Sequence, residues 1–171
     1  MKYFKITLLA LLLSSGAIQA QEKNKQSHDK HLGILITEYI QLKDALVADD
    51  FELAQKSLNS FSKEINSNSE MIDHESSDKY DAHHKRMVAA VNTTMKAQDI
   101  KALRDSFDEI TDELLVAIEN QGYTDNKLYV QFCPMANDKS GAKWLSTKEE
   151  ILNPYYGSMM IKCGTTLKTI N

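Results

Sequence analysis

Cysteine, proline and tryptophan are scarce in this 171-residue sequence, with two, two and one copies. The two cysteines, Cys133 and Cys163, lie too far apart to form a Cys-x-x-Cys redox motif, a closely spaced zinc pair or a Cys-x-x-Cys-His haem motif. The sequence also lacks Gly-x-Ser-x-Gly, His-Glu-x-x-His, a phosphate-binding loop and a dinucleotide-binding fingerprint. These absences favour a protein that is not an enzyme.

Long apolar runs are lacking as well. The run from Ile6 to Leu13 is far shorter than the ~20 residues that cross a bilayer. It follows Lys2 and Lys5 and precedes small residues up to Ala20, which is the order of a secretory signal peptide. We therefore predict a cleaved signal peptide over residues 1–20 and a periplasmic or secreted mature protein that does not span a membrane. A retained membrane anchor is the alternative.

An excess of basic residues is missing too. The sequence has 20 Lys and Arg against 24 Asp and Glu, and loss of Lys2 and Lys5 with the signal peptide leaves 18 basic residues. Nucleic acids and anionic lipids favour clustered Lys and Arg, so we expect neither as a partner. In an oxidising compartment, the two cysteines are expected to form a disulfide or to bind a metal.

Helical periodicity dominates the middle of the chain. After a polar leader over residues 21–30, apolar residues recur at a spacing of three to four in four segments. Residues 31–122 are therefore predicted to form a mainly α, antiparallel up-down four-helix bundle, with three helices and a long irregular arm as the alternative. The predicted helices run from Leu32 to Ala48, from Phe51 to Ile65, from Tyr80 to Gln98, and from Ile100, capped by Asp99, to a stop at Gly122.

The helical segment carries little metal-binding chemistry. His28 and His31 are a two-ligand pair at the end of the leader, which is more typical of solvated polar sequence than of a metal site. A di-iron bundle requires two Glu-x-x-His pairs, whereas this chain offers only Asp81-x-x-His84. We interpret the helices as a scaffold.

Residues 123–171 are predicted to form an irregular arm, with short strands and one short helix, that packs on the bundle. Leu128 to Phe132 alternate as in a strand, and Asn137 to Gly141 are typical of a turn. Ser146 and Glu149 have the spacing of a capping box. The remaining predictions are a short helix over Thr147–Leu152 and extended segments over Met159–Cys163 and Thr165–Ile170.

Sulfur side chains are concentrated in this arm. Cys133 and Met135 lie in one group, and Met160 and Cys163, with the adjacent Met159, lie in another. Thiolates and thioethers are soft donors that select Cu(I), Ag(I) or Hg(II) over hard cations. Trp144 lies between the two groups, where it would cover a bound ion as a hydrophobic lid or offer its π face to it.

The run CPMANDKSGAKWLSTKEEILNPYYGSMMIKCG resembles the C-terminal motif of the domain of unknown function 3347 family of secreted and periplasmic proteins. It is also similar to the heavy-metal-binding tail of CusB-like adaptors of copper and silver efflux pumps. YIQLKDALVADD at residues 39–50 and DIKALRDSFDEIT at residues 99–111 resemble the helical part of the same family. The resemblance implies that the soft ligands are Cys133, Met135, Met160 and Cys163.

We therefore expect a periplasmic Cu(I)- or Ag(I)-binding protein that acts in heavy-metal homeostasis or hands the ion to an efflux adaptor. Cys133 and Cys163 would be the thiolate ligands and Met135 and Met160 the thioether ligands. The alternative is a protein-interaction module without metal, stapled by a Cys133–Cys163 disulfide. Such a bridge closes a loop of about 30 residues and contributes roughly 3–4 kcal/mol. The residues expected to surround a bound metal are Trp144, Tyr155 and Met159.

Overall fold

The computed structural model of the protein describes residues 30–67, 78–123 and 126–171, with the side chains of residues 78–83 excepted. The predicted signal peptide (residues 1–20) lies outside these ranges. So do the predicted leader up to residue 29, with His28, and most of the predicted loop between the second and third helices.

Four helices of more than two turns occur in the described chain, as the periodicity predicted. α1 covers residues 30–47 and begins at the last leader position. The third predicted helix is shorter than expected at its end, because backbone turns through Lys96 and Ala97 replace its last residues. The other bounds are Phe51–Ser67 for α2, Asp78–Thr94 for α3 and Ile100–Gln121 for α4.

Side-chain and backbone caps set the ends of α4, the longest of these helices. Asp99 has an extended backbone (φ −149, ψ 170), and its carboxylate accepts a hydrogen bond from the amide of Ala102 at 2.8 Å. At the other end, Gly122 has φ 75 and donates its amide to the carbonyl of Ile118. Both ends were predictable, since Asp favours the N-cap position and Gly accommodates positive φ at a helix C-terminus.

Buried aromatic rings lie at the centre of the core. Tyr39 of α1 and Phe107 of α4 are stacked, with ring centroids 5.1 Å apart, and both are fully buried. The Tyr39 hydroxyl shares a 2.8 Å hydrogen bond with Thr111, which satisfies its polar end. Burial of each such side chain is worth roughly 1.5–3 kcal/mol, and this contact is one part of a larger buried apolar core.

A three-stranded antiparallel sheet follows the helices, in the order β2-β1-β3. The central strand β1 pairs with β2 from Tyr129↔Ser146 to Cys133↔Ala142, and with β3 from Leu128↔Ile170 to Phe132↔Thr165. The β2 strand also packs on α4, which attaches the sheet to the helical core. The strands are Leu128–Cys133 (β1), Ala142–Ser146 (β2) and Thr165–Ile170 (β3).

The predicted helix over Thr147–Leu152 is wrong. Ser146 is the last residue of β2, and its hydroxyl bonds to the amide and carbonyl of Lys148, two residues on, instead of capping a helix. The buried Gln131 side chain then donates its amide to the carbonyls of three successive residues, at 3.0–3.3 Å. Those three residues are Lys148, Glu149 and Glu150. Tertiary hydrogen bonds therefore occupy the carbonyls that a helix would have used.

The predicted strand over Met159–Cys163 is also wrong, whereas the one over Thr165–Ile170 is confirmed. The chain instead makes a short 3₁₀ turn, η1, over Gly157–Met159, followed by a turn that closes through the amide of Cys163 and the carbonyl of Met160. The arm's short helical turn, α5, covers Ala136–Lys139 and overlaps the predicted turn; Asn137 and Asp138 within it have left-handed φ values of 48 and 52. Strand β2 was not predicted from the sequence.

None of the helices in the described ranges combines the length and apolar character needed to cross a bilayer.

Candidate functional site

The two cysteine sulfurs, predicted from the sequence as metal ligands, lie 2.9 Å apart and are not joined by a disulfide. Cys133 is the last residue of β1 and is fully buried, whereas Cys163 is partly exposed just before β3. Antiparallel pairing of β1 with β3, which ends at Phe132↔Thr165, brings the two residues to the same end of the sheet. Sheet pairing therefore creates the thiol pair.

Asn153 fixes the turn that carries Cys163. Its side-chain amide donates to the Cys163 carbonyl at 2.8 Å, and its side-chain oxygen accepts from the Tyr155 amide at 2.8 Å. Its backbone amide donates to Ile161 and its carbonyl accepts from Gly157, at 2.9 and 3.0 Å. Asn153 is fully buried, so these bonds form without competition from water. The Cys163 backbone is positioned independently of any ligand.

Contact with the second thiol raises the pKa of Cys163. The hydrogen bond to Cys133 is the main cause, and burial and the charge of the Cys133 thiolate add to it. The pair therefore favours protonated thiols at neutral pH, and a metal ion must displace protons to bind there. The same surroundings raise the pKa of Tyr156, through burial and through the negative charge of thiolates at Cys133 and Cys163.

The three methionines next to the cysteines in the sequence are exposed or half-buried. Met135 and Met159 are 41% and 73% exposed, and Met160 is half-buried. The backbone of Met135 is tied to the site, because its carbonyl accepts a 2.5 Å hydrogen bond from the Tyr156 hydroxyl. Cys133 is therefore the buried part of the candidate site, whereas Cys163 and the methionines are more accessible.

Trp144, expected to lie near a bound ion, is a core residue. It is fully buried, and its ring packs edge-on against Tyr155 with centroids 6.2 Å apart. A Cβ added to Gly164 would meet the Trp144 ring at 2.7 Å, so the indole lies directly beneath the residue that follows Cys163. Its Nε1 is buried without a hydrogen-bond partner in the described chain. Trp144 supports the cysteine turn from inside and does not form an exposed lid.

Tyr155, the other aromatic residue expected near the metal, also belongs to the core. Its hydroxyl donates a 2.5 Å hydrogen bond to the Lys143 carbonyl, and burial raises its pKa well above the ordinary value. Its ring lies 5.8 Å from that of Phe107. Tyr155 therefore links the arm to the helical core rather than contributing a polar group to the site.

An ion pair between α4 and the α1–α2 turn holds the segment that follows Asn153. Arg104 donates from Nε to the Pro154 carbonyl at 2.7 Å and from Nη2 to Asp49 at 2.6 Å. Asp49 in turn accepts from the Ser158 amide at 3.0 Å. Sequence reasoning missed this pair. The available signal was Arg104 itself, a charged residue next to the apolar stripe of α4.

Within the described ranges, no three His, Cys, Asp or Glu side chains converge in a way that would hold a metal ion. The candidate site therefore consists of the two thiols, with the methionine sulfurs as possible additional donors.

The family model described as Protein of unknown function (DUF3347) matches residues 35–126, more than half of the chain. The chain belongs to this family. The DUF3347 match includes residues 39–50 and 99–111, from which the sequence suggested this family, and it includes Asp49 and Arg104. It ends before β1, so both cysteines and the neighbouring methionines lie beyond the matched range. No curated protein and no solved structure matches this chain.

Proposed function

We propose that this DUF3347 protein binds a soft monovalent metal ion, Cu(I) or Ag(I), through Cys133 and Cys163. The observation that carries the proposal is the 2.9 Å separation of the two sulfurs, which come from opposite ends of the arm. Two thiolates are the donor set that soft monovalent ions prefer, and oxygen-binding cations compete poorly for it. Met135 and Met160 would supply thioethers, and the ion would act in heavy-metal homeostasis.

A modest movement of Cys163 would admit the ion. With metal–sulfur bonds of about 2.3 Å, two thiolates on opposite sides of an ion lie up to about 4.6 Å apart. Cys133 is fixed in the central strand, whereas Cys163 is partly exposed and follows a turn outside the strands. The sulfur of Cys163 is therefore the one that would move outward to admit the ion.

We also propose the setting in which this site acts. The N-terminal residues 1–20 have the order of a signal peptide, which would place the mature protein in the periplasm or outside the cell. There it would hand its ion to a heavy-metal efflux adaptor, as the similarity of the arm to adaptor tails suggests. The four helices would form an antiparallel up-down bundle, consistent with the short connections after α1 and α3.

A competition titration tests the metal proposal. Reduced protein lacking residues 1–20 is titrated with Cu(I) against a chromophoric chelator, alongside Cys133→Ser, Cys163→Ser and Met160→Leu variants. We expect one ion per chain, loss of binding in both cysteine variants and a weaker effect of Met160→Leu. Met159→Leu is the matched control, because Met159 is the more exposed of the two neighbouring methionines. Unchanged copper affinity in both cysteine variants would refute the proposal.

A disulfide-stapled interaction module is the second candidate function. It is favoured by the same sulfur contact and by the complete burial of Cys133, which suits a structural bridge. Thiol counting after unfolding, on protein isolated under non-reducing conditions, separates the two: an absence of reactive thiols favours the disulfide. The bridged protein should then be roughly 3–4 kcal/mol more stable than the reduced protein in urea unfolding.

A further inference from the structure

A cleft of about 710 Å³ lies between the first turns of α4 and the arm. It is separate from the thiol pair, although Tyr156 lines the cleft and also hydrogen-bonds to Met135 beside that pair. The volume is within the range of about 300–1,000 Å³ that is typical of small-molecule sites. The residues that matter for its chemistry are Ile100, Lys101, Arg104, Asp138, Tyr156 and Met159.

Arg104 places a hydrogen-bond donor at this cleft. The residue is only 7% exposed. Its Nε donates to the Pro154 carbonyl, and its Nη2 donates to the Leu46 carbonyl and the Asp49 carboxylate. Its Nη1 atom has no acceptor in the part of the chain that the structure describes. A guanidinium nitrogen in this position favours an anionic oxygen, such as that of a carboxylate.

The N-terminus of α4 adds donors on the same side. Asp99 accepts the amides of Ala102 and Leu103, at 2.8 and 3.1 Å. The amides of Ile100 and Lys101, both cleft residues, have no acceptor among the described residues. The helix dipole places roughly half a positive charge at this end, which also favours a bound anion.

Asp138 supplies the opposite charge. It lies in a left-handed turn with φ 52, is exposed, and forms no ion pair within the described chain. The other carboxylate at the cleft, Asp105, is paired with Lys101 at 2.6 Å. The charge of Asp138 also helps to raise the pKa of Lys101, but Asp138 is the cleft carboxylate without a direct ion pair in the described chain, and it can therefore bind a cationic group of a ligand.

We propose that this cleft binds a small zwitterion with an apolar body, of the class of α-amino acids and short peptides. Its carboxylate would bind at Arg104 and the α4 N-terminus, and its ammonium group would bind at Asp138. Ile100, Tyr156 and Met159 provide an apolar wall for the rest of the molecule. The proposal does not depend on metal binding at the cysteines.

Three related probes test both charges. Phenylalanine carries both groups, 3-phenylpropionate carries only the carboxylate, and phenethylamine carries only the ammonium. Binding to reduced protein lacking residues 1–20 is followed by NMR chemical-shift titration. We expect phenylalanine to bind roughly tenfold more tightly than either half-probe, because each removed charge leaves one side of the cleft unpaired.

Variants of the cleft complete the test. Asp138→Asn should weaken phenylalanine binding roughly tenfold and leave 3-phenylpropionate unchanged, while Ile100→Trp should fill the cleft and block all three probes. Glu109→Gln, an exposed carboxylate of α4 outside the cleft, is the matched control and should change nothing. The proposal is overturned if no probe binds at millimolar concentration, if both half-probes bind as well as phenylalanine, or if Asp138→Asn behaves like the control.

Discussion

The Asp49 carboxylate and the Arg104 guanidinium lie 2.6 Å apart, and together they hold both sides of the Pro154–Ser158 segment. Asp49 lies in the turn between α1 and α2, at φ 58, and Arg104 lies in the second turn of α4. The ion pair therefore joins the helical part of the DUF3347 protein to the arm that carries the sulfurs. A substitution at either residue should therefore affect the arm.

Acid should weaken this junction. The hydrogen bond from Arg104 is the main cause that lowers the pKa of Asp49 from 3.8 to about 2. Because the folded-state pKa is depressed, the interaction stabilises the fold above about pH 4, and this contribution is lost as the pH falls through about 2. Asp49→Asn should flatten the decline in unfolding free energy across that interval. The effect is small, since Asp49 is more than one third exposed.

Urea unfolding at several pH values, followed by the fluorescence of Trp144, measures this change. Glu52→Gln, an exposed acidic residue in the first turn of α2, is the control and should keep the wild-type slope. Parallel pH profiles for wild type and Asp49→Asn would show that the ion pair does not couple acid to stability.

Gly157→Ala should destabilise the protein by roughly 2–4 kcal/mol. Gly157 has φ 52, and an added Cβ would lie 2.2 Å from an Asp49 carboxylate oxygen and 2.4 Å from Arg104 Nη2. Gly122→Ala is the matched control, because Gly122 also has positive φ (75) but no atom within 4 Å of the added Cβ. It should lose only about 1–2 kcal/mol from backbone strain. If urea unfolding shows the same loss of stability for Gly157→Ala and Gly122→Ala, the Asp49 side chain avoids the added Cβ without destabilising the fold.

Gln131→Leu should loosen the loop after β2. The Gln131 amide donates to three successive carbonyls of that loop, and the substitution leaves them without this donor at a cost of about 1–3 kcal/mol. Cleavage by trypsin after Lys148 should therefore accelerate under native conditions. Gln98→Leu, at an exposed glutamine with a single hydrogen bond to Lys96, should leave both stability and cleavage unchanged. Unchanged cleavage in Gln131→Leu would show that other contacts hold the loop.

The two thiols should differ in reactivity. Cys163 is partly exposed and should be alkylated by iodoacetamide in the folded protein, whereas the fully buried Cys133 should react only after unfolding. The Cys133→Ala variant should lower the pKa of Cys163, because it removes the hydrogen bond that raises it. Alkylation of Cys163 at pH 8 should then be faster, as mass spectrometry can measure. If Cys163 is alkylated at an equal or slower rate in Cys133→Ala than in the wild type, the hydrogen bond to Cys133 is not what raises the pKa of Cys163.

The helices could be predicted from the sequence because each depends on local signals. The 3–4 spacing of residues such as Leu103, Phe107 and Ile110 marks a buried helical face, and Asp99 and Gly122 mark its ends. The family match over residues 35–126 covers this same part of the chain.

The arm could not be predicted to the same extent, because distant residues decide its conformation. The capping-box spacing of Ser146 and Glu149 is overridden by strand pairing and by the Gln131 side chain. The turn before Cys163 depends on Asn153, whose bonds no periodicity reveals. Sulfur content pointed to Cys133 and Cys163 as a pair, but only the sheet register shows that their sulfurs are in contact.

The hydroxyl of Tyr39 accepts a hydrogen bond from the backbone amide of Leu145, 106 positions later in the chain, at 3.2 Å. A recombinant fragment cut at residue 126, where the family match stops, would lose this donor together with the Tyr155 ring that covers Phe107. Such a fragment would present bare aromatic surface to solvent and should aggregate. A chimera that combines the helices of one homologue with the arm of another would therefore need Tyr39, Phe107 and Arg104 from the homologue that supplies the arm.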